Sequence, residues 1–157
     1  MTFRYHSTPT GLNPRRGATV SVAAFTAVPA GGVVPFNVVN ENILGLYVVG
    51  STLVIPPRMG GVYIMAGQLL FPVNVTGGRT ANIQRVTPVG PVTRVIGGDS
   101  AGAGQGGTGI TGFAPSLCPS VIQDLAVGDI ISLLYAQSSG GNLVGCSASF
   151  SMYRMAQ

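Results

Sequence analysis

With 157 residues and no break in composition, the chain is expected to form one domain with a sizeable core. Only 8% of residues are charged and 46% are hydrophobic, which excludes a disordered chain, while 24 glycines and 11 prolines favour strands joined by tight turns over helices. The net charge of +4 comes from eight dispersed arginines without a single lysine, and with only Arg15 and Arg16 adjacent there is no basic stripe of the kind nucleic acid requires.

Residues 1–17 contain Pro9, Gly11, Pro14 and Gly17 and show no sustained period. This predicts an extended N-terminal arm, with Phe3 and Tyr5 to bury and Arg4, Arg15 and Arg16 as further anchors. The start, Met1-Thr2-Phe3-Arg4, lacks an apolar signal-peptide segment, so synthesis in the cytoplasm is expected.

The domain proper is expected over residues 18–157. Strand-like runs fall at about 19–27, 33–39, 43–49, 52–55, 62–75, 80–87, 92–96, 120–125, 130–137 and 145–155, with Gly- and Pro-rich turns between them. That spacing predicts an all-β sandwich or barrel of about ten strands. The longest apolar stretches, 43–49 and 130–135, are far shorter than the roughly 20 residues of a membrane-spanning helix, and no membrane partner is expected.

Two strands are unusual in being apolar on both faces. After the Pro56-Pro57 turn, one face reads Val62, Ile64, Ala66, Gln68 and Leu70, and the other Tyr63, Met65, Gly67, Leu69 and Phe71. The run 130–135 behaves alike. Apolar character on both faces calls for cover on both sides, and in a chain this short the second cover is expected to be another copy of itself. Tyr63, Met65, Leu69, Phe71, Leu133 and Tyr135 are the residues expected at that contact. The final run alternates cleanly, with Cys146, Ala148, Phe150 and Met152 toward the core and Ser147, Ser149, Ser151 and Tyr153 away from it.

Residues 97–116 are glycine-rich and are expected to form an exposed loop. They lack the Gly-Lys-Ser/Thr ending of a phosphate-cradling loop. Little else carries chemistry. His6 is the only histidine, and the acids Glu41, Asp99, Asp124 and Asp129 form no close pair in sequence. Asp129, after Gly128, is expected to hold its own turn, and Asp99 alone is thin support for a calcium site. Cys118 and Cys146 form no Cys-x-x-Cys pattern and are expected to be buried thiols. Tyr63 and Tyr135 are expected to pack in a core or interface rather than to form a sugar platform, and Asn74-Val75-Thr76 matches a glycosylation sequon that has no secretory context. The reading is of a protein without catalytic residues, cofactor or metal.

Several segments carry a family resemblance. Val34-Pro35-Phe36-Asn37, Asn42, Tyr47, the turn from Thr52 to Pro57 and Gly61-Val62-Tyr63-Ile64-Met65 resemble the signature of complement-type globular heads, trimeric jelly rolls related to tumour necrosis factor. Leu125-Ala126-Val127-Gly128-Asp129 is similar to that family's Leu-x-x-Gly-Asp turn, and Phe150-Ser151-Met152-Tyr153 to its closing strand. The resemblance implies a two-sheet jelly roll that forms a homotrimer through apolar strand faces. A lysine-free, sparsely charged chain of this size also resembles bacteriophage virion proteins. That likeness implies a structural role as a capsid decoration or minor tail protein, located in the virion, with major capsid or tail proteins as partners. A receptor- or carbohydrate-binding tip, with a host-surface ligand, and a secreted complement-like ligand remain the alternatives.

Overall fold

The computed structural model describes residues 16–43, 45–48, 51–73, 76–101 and 115–155. These form twelve strands: β1 (Arg16–Ala27), β2 (Gly32–Val33), β3 (Val38–Asn42), β4 (Tyr47–Val48), β5 (Thr52–Val54), β6 (Gly61–Leu70), β7 (Arg79–Val86), β8 (Thr93–Ala101), β9 (Ser116–Leu117), β10 (Ser120–Leu125), β11 (Ile130–Gln137) and β12 (Leu143–Arg154). The first sheet has the order β10-β6-β12-β1-β3, with β9 also pairing β6; the second has the order β4-β5-β11-β7-β8, with β2 also pairing β11. All pairings are antiparallel. The fold is an all-β jelly-roll sandwich, and the described residues contain no helix.

The core lies between the sheets and follows from period-2 patterning. Strand β12 turns Cys146, Ala148, Phe150 and Met152 inward, as its alternation predicts. Register places Met65 of β6 opposite Met152 and Gly67 opposite Phe150, so β6 continues the same inward face. From the second sheet, Leu53, Ile83, Ile131 and Leu133 complete the filling. Gly67 suits the closeness of the layers, because a Cβ there would lie 3.0 Å from Cδ1 of Leu133 and 3.2 Å from Pro119, closer than either side chain sits comfortably.

Here the structure corrects one expectation. Tyr63, Met65, Leu69, Phe71, Leu133 and Tyr135 are all buried within the single chain, in the core between the sheets rather than on an outer face. Both faces of β6 are apolar, but the packing of the second sheet selects the Tyr63 face as the interior and leaves the Val62 face outward. Tyr63 donates its hydroxyl proton to the carbonyl of Met59 at 2.6 Å, and burial pushes its pKa above the ordinary 10.0, partly offset by Arg154. The Tyr135 ring packs against Phe25 with centroids 5.4 Å apart.

Three further expectations shift. Strand β1 begins at Arg16 and pairs with β12 from Arg154 onward, so Arg16 and Gly17 belong to the sandwich; Phe3, Arg4, Tyr5 and Arg15 lie outside the described residues. Residues 97–101 are strand, because β7 offers them a backbone ladder from Ile83 to Arg79; residues 102–114 lie outside the description. Asp99 is committed there as an acceptor, taking the backbone N–H groups of Ser100 at 2.8 Å and Cys118 at 2.7 Å, which ties β8 to the segment entering β10. Cys118 is exposed, not buried, whereas Cys146 is buried; both are free thiols.

Asp129 performs the expected turn role. Its fully buried carboxylate accepts the N–H of Ala126 at 2.7 Å and pairs with the Arg85 guanidinium at 2.7 Å, while Gly128 supplies a φ of +86°. The pair anchors the entry of β11 to β7.

Candidate self-association face

With its inner side filled, the first sheet presents its outer side as the main candidate for function. Register builds this face row by row. Ile122 of β10 stands opposite Ile64 of β6, which stands opposite Tyr153 of β12. On one flank Val62 lies beside Met155, whose N–H donates to the Val62 carbonyl at 2.9 Å. The result is an aliphatic corner in which Ile122 is 60% and Ile64 46% exposed, with Val62 and Met155 also exposed. Scattered apolar side chains are ordinary on a surface, but several adjoining ones on one flat sheet mark a contact surface.

Asp124 flanks this corner opposite Val62, and Glu41 lies at the far side opposite Thr19; between them the face is mostly small and uncharged. Ser120, Ala66, Ser151 and Thr19 make one cross-strand row, and Gln68, Ser149 and Ser21 make the next. Such rows carry mostly short side chains, so another surface can approach closely.

A hydrogen-bonded chain stiffens the β1 and β3 side. The Tyr153 hydroxyl donates to Oε2 of Glu41 at 2.7 Å, so its oxygen is left to accept from Thr19 at 2.8 Å. With its own proton committed, the Thr19 hydroxyl accepts from Ser151 at 3.1 Å. Gly17 makes room for this arrangement, since a Cβ there would meet Cδ1 of Tyr153 at 2.2 Å. Among the described residues Glu41 has no cationic partner, and its charge is held by the tyrosine.

None of the six residues expected at a contact between copies lies on this face. The apolar residues that do are Val62, Ile64 and Leu70 of β6, which pattern alone does not single out because β6 reads as apolar on both sides, and Ile122 of β10. One signal does separate the sides: Gln68, the polar residue of the strand, stands on the Val62 side, where water or a partner can satisfy it.

Comparison with known proteins supports the fold. No protein-family model matches the sequence, and no curated protein matches it. Among solved structures, the globular domain of a zebrafish complement 1qA protein is similar, with a TM-score of 0.62 at 13% identity, covering 90% of this chain and 98% of that one. At this identity the likeness establishes a shared architecture: the jelly roll implied by the sequence resemblance is the fold the chain adopts.

Proposed function

We propose that this chain is a non-enzymatic module that forms a homotrimer through the outer face of the first sheet, and that it serves as a structural protein of a phage-like virion, as a capsid decoration or tail-associated component held by its N-terminal arm. The observation that carries the trimer is the aliphatic corner of Val62, Ile64 and Ile122, exposed on a sheet whose opposite side is already fully packed. The architecture shared with a complement globular domain and the sequence resemblance to trimeric jelly rolls supply the stoichiometry. Three copies also allow three arms to attach together, so that each attachment can be weak while the sum holds.

The virion role is supported by the 8% charge content and the arginine-bearing leading segment. A secreted complement-like ligand is the competing reading, favoured by the zebrafish likeness. The exposed free thiol of Cys118 weighs against it, because unpaired exposed cysteines fit a reducing compartment better than an oxidising one. Mass spectrometry of particles purified from the source culture tests this reading. Recovery of the chain in the particle fraction is expected, and recovery only as free protein in the medium would refute the virion role.

A further inference from the structure

Where β8 and β10, the edge strands of the two sheets, run side by side, the seam opens into a cleft that the self-association face does not involve. The strands touch at Gly97, where a Cβ would lie 3.1 Å from both the Ser120 carbonyl and Cβ of Val121. Toward the hairpin joining β7 to β8 they diverge, leaving a cleft of about 320 Å³ lined by Arg85, Thr87, Val92, Arg94, Ile96 and Gln123. A register shift between Ile83 and Gln84 leaves Ile96 without a partner on β7, and Ile96 packs partly against the core as one wall.

The electrostatics of the cleft are unbalanced. Arg85 and Arg94 are direct cross-strand partners, an arrangement that costs stability unless the charges are matched. Asp129 matches Arg85. Arg94 has no ion pair or hydrogen bond among the described residues, and Arg85 keeps a buried Nε without an acceptor. Gln123 uses one amide proton on the Asp124 carbonyl at 3.3 Å and has a second to give. Thr87 is occupied in shaping the rim, accepting from the Val92 N–H at 3.1 Å and donating to the Gly90 carbonyl at 3.3 Å.

We propose that this cleft is a binding site for a carboxylate carried on a short apolar stem. One uncompensated positive charge suits a monoanion better than a doubly charged phosphate. A guanidinium with a neighbouring amide offers the parallel donors a carboxylate accepts. Val92 and Ile96 provide an apolar wall for the stem, and the volume lies at the small end of ligand sites, about 300–1,000 Å³. The carboxylate has two sources to distinguish: a free small molecule, or an acidic side chain of a second copy, for which the exposed Asp124 is available.

The test is a titration of the full chain with sodium valerate, followed by the side-chain N–H resonances of arginine and glutamine, with valeramide as the neutral match and inorganic phosphate as the rival anion. Saturable shifts at Arg94 and Gln123 with valerate are expected, absent with valeramide, and weakened about tenfold or more in Arg94→Gln, the loss of one charge-assisted bond. Arg58→Gln, at an exposed turn away from the cleft, is the control and should leave binding unchanged. If a second copy supplies the carboxylate, valerate and Arg94→Gln will each loosen the assembly in sedimentation; if a free molecule does, sedimentation will be unaffected by either while valerate still binds the unsubstituted chain. Equal shifts at every arginine, valeramide binding as well as valerate, tighter binding of phosphate, or unchanged binding by Arg94→Gln would each overturn the proposal. Whether the outer face of the first sheet carries the trimer is decided separately, by sedimentation of Ile64→Asp without ligand.

Discussion

Replacing Ile64 by Asp separates self-association from folding. In the single chain Ile64 is 46% exposed beside Ile122 at 60%, so a carboxylate at this position can reach water and the monomer should lose little. In a trimer closed over this face the same carboxylate is buried. The half of the side chain still exposed contributes about 1 kcal/mol on burial, taken as half of the ~1.5–3 kcal/mol for a whole aliphatic side chain. Burying an unpaired polar group adds at least about 1 kcal/mol at the lower end of mutational values. Together these give about 2 kcal/mol per site and about 6 kcal/mol over three sites, or roughly four decades in the trimer dissociation constant. Because that constant carries the square of concentration, the midpoint of dissociation should rise by about two decades. Sedimentation velocity across a dilution series, with thermal unfolding of the dissociated species, reads both quantities. A variant that remains trimeric at the wild-type midpoint, or a wild-type chain that is monomeric at micromolar concentration, would refute the assignment of this face.

Leu69→Asp makes the opposite prediction: its side chain is fully buried between the sheets, and the uncompensated carboxylate should unfold the chain in circular dichroism rather than merely dissociate it, since a domain has only about 5–15 kcal/mol to spare. Asp129→Asn removes the charge partner of Arg85 and weakens the acceptor for Ala126, and should lower stability by about 2–3 kcal/mol in urea titration, with no loss if the turn is held by Gly128 alone. Burial raises the pKa of both Tyr63 and Cys146, so the fold holds their protons more tightly than the unfolded chain does. Their contribution is therefore complete below the ordinary values of 9.0 and 10.0 and is lost as pH rises through the higher folded values. Urea midpoints should fall on the alkaline side, and Tyr63→Phe should flatten that fall above about pH 10; an unchanged slope would show that Tyr63 does not carry it.

Much of the architecture can be read from local pattern. The alternation of β12 assigns both of its faces, and the turn at Leu125 to Asp129 announces a carboxylate that holds its own turn and the strand behind it, because a period-2 pattern or a Gly-Asp corner needs nothing distant to be understood. Strands β10 and β11 are legible to the residue for the same reason. The glycines at 97 and 98 mislead, since their composition is that of a loop; they are strand because β7 supplies a ladder, and at 97 a side chain would crowd Ser120 and Val121 of β10. The two-residue strand β9 leaves no periodicity to detect.

The sequence by itself determined that this is an all-β domain, that β6 is apolar on both sides, and that acid–base groups are scarce. Only the tertiary structure decided which side of β6 is the interior. Alternation defines two faces but carries no label for either; the choice belongs to the second sheet, whose Leu133 and Ile131 meet the Tyr63, Met65 and Leu69 side and leave Val62 and Ile64 outside. The pairing of Arg85 with Arg94, and the cleft they share, was equally invisible, because residues nine apart in sequence become neighbours only through the hairpin's register.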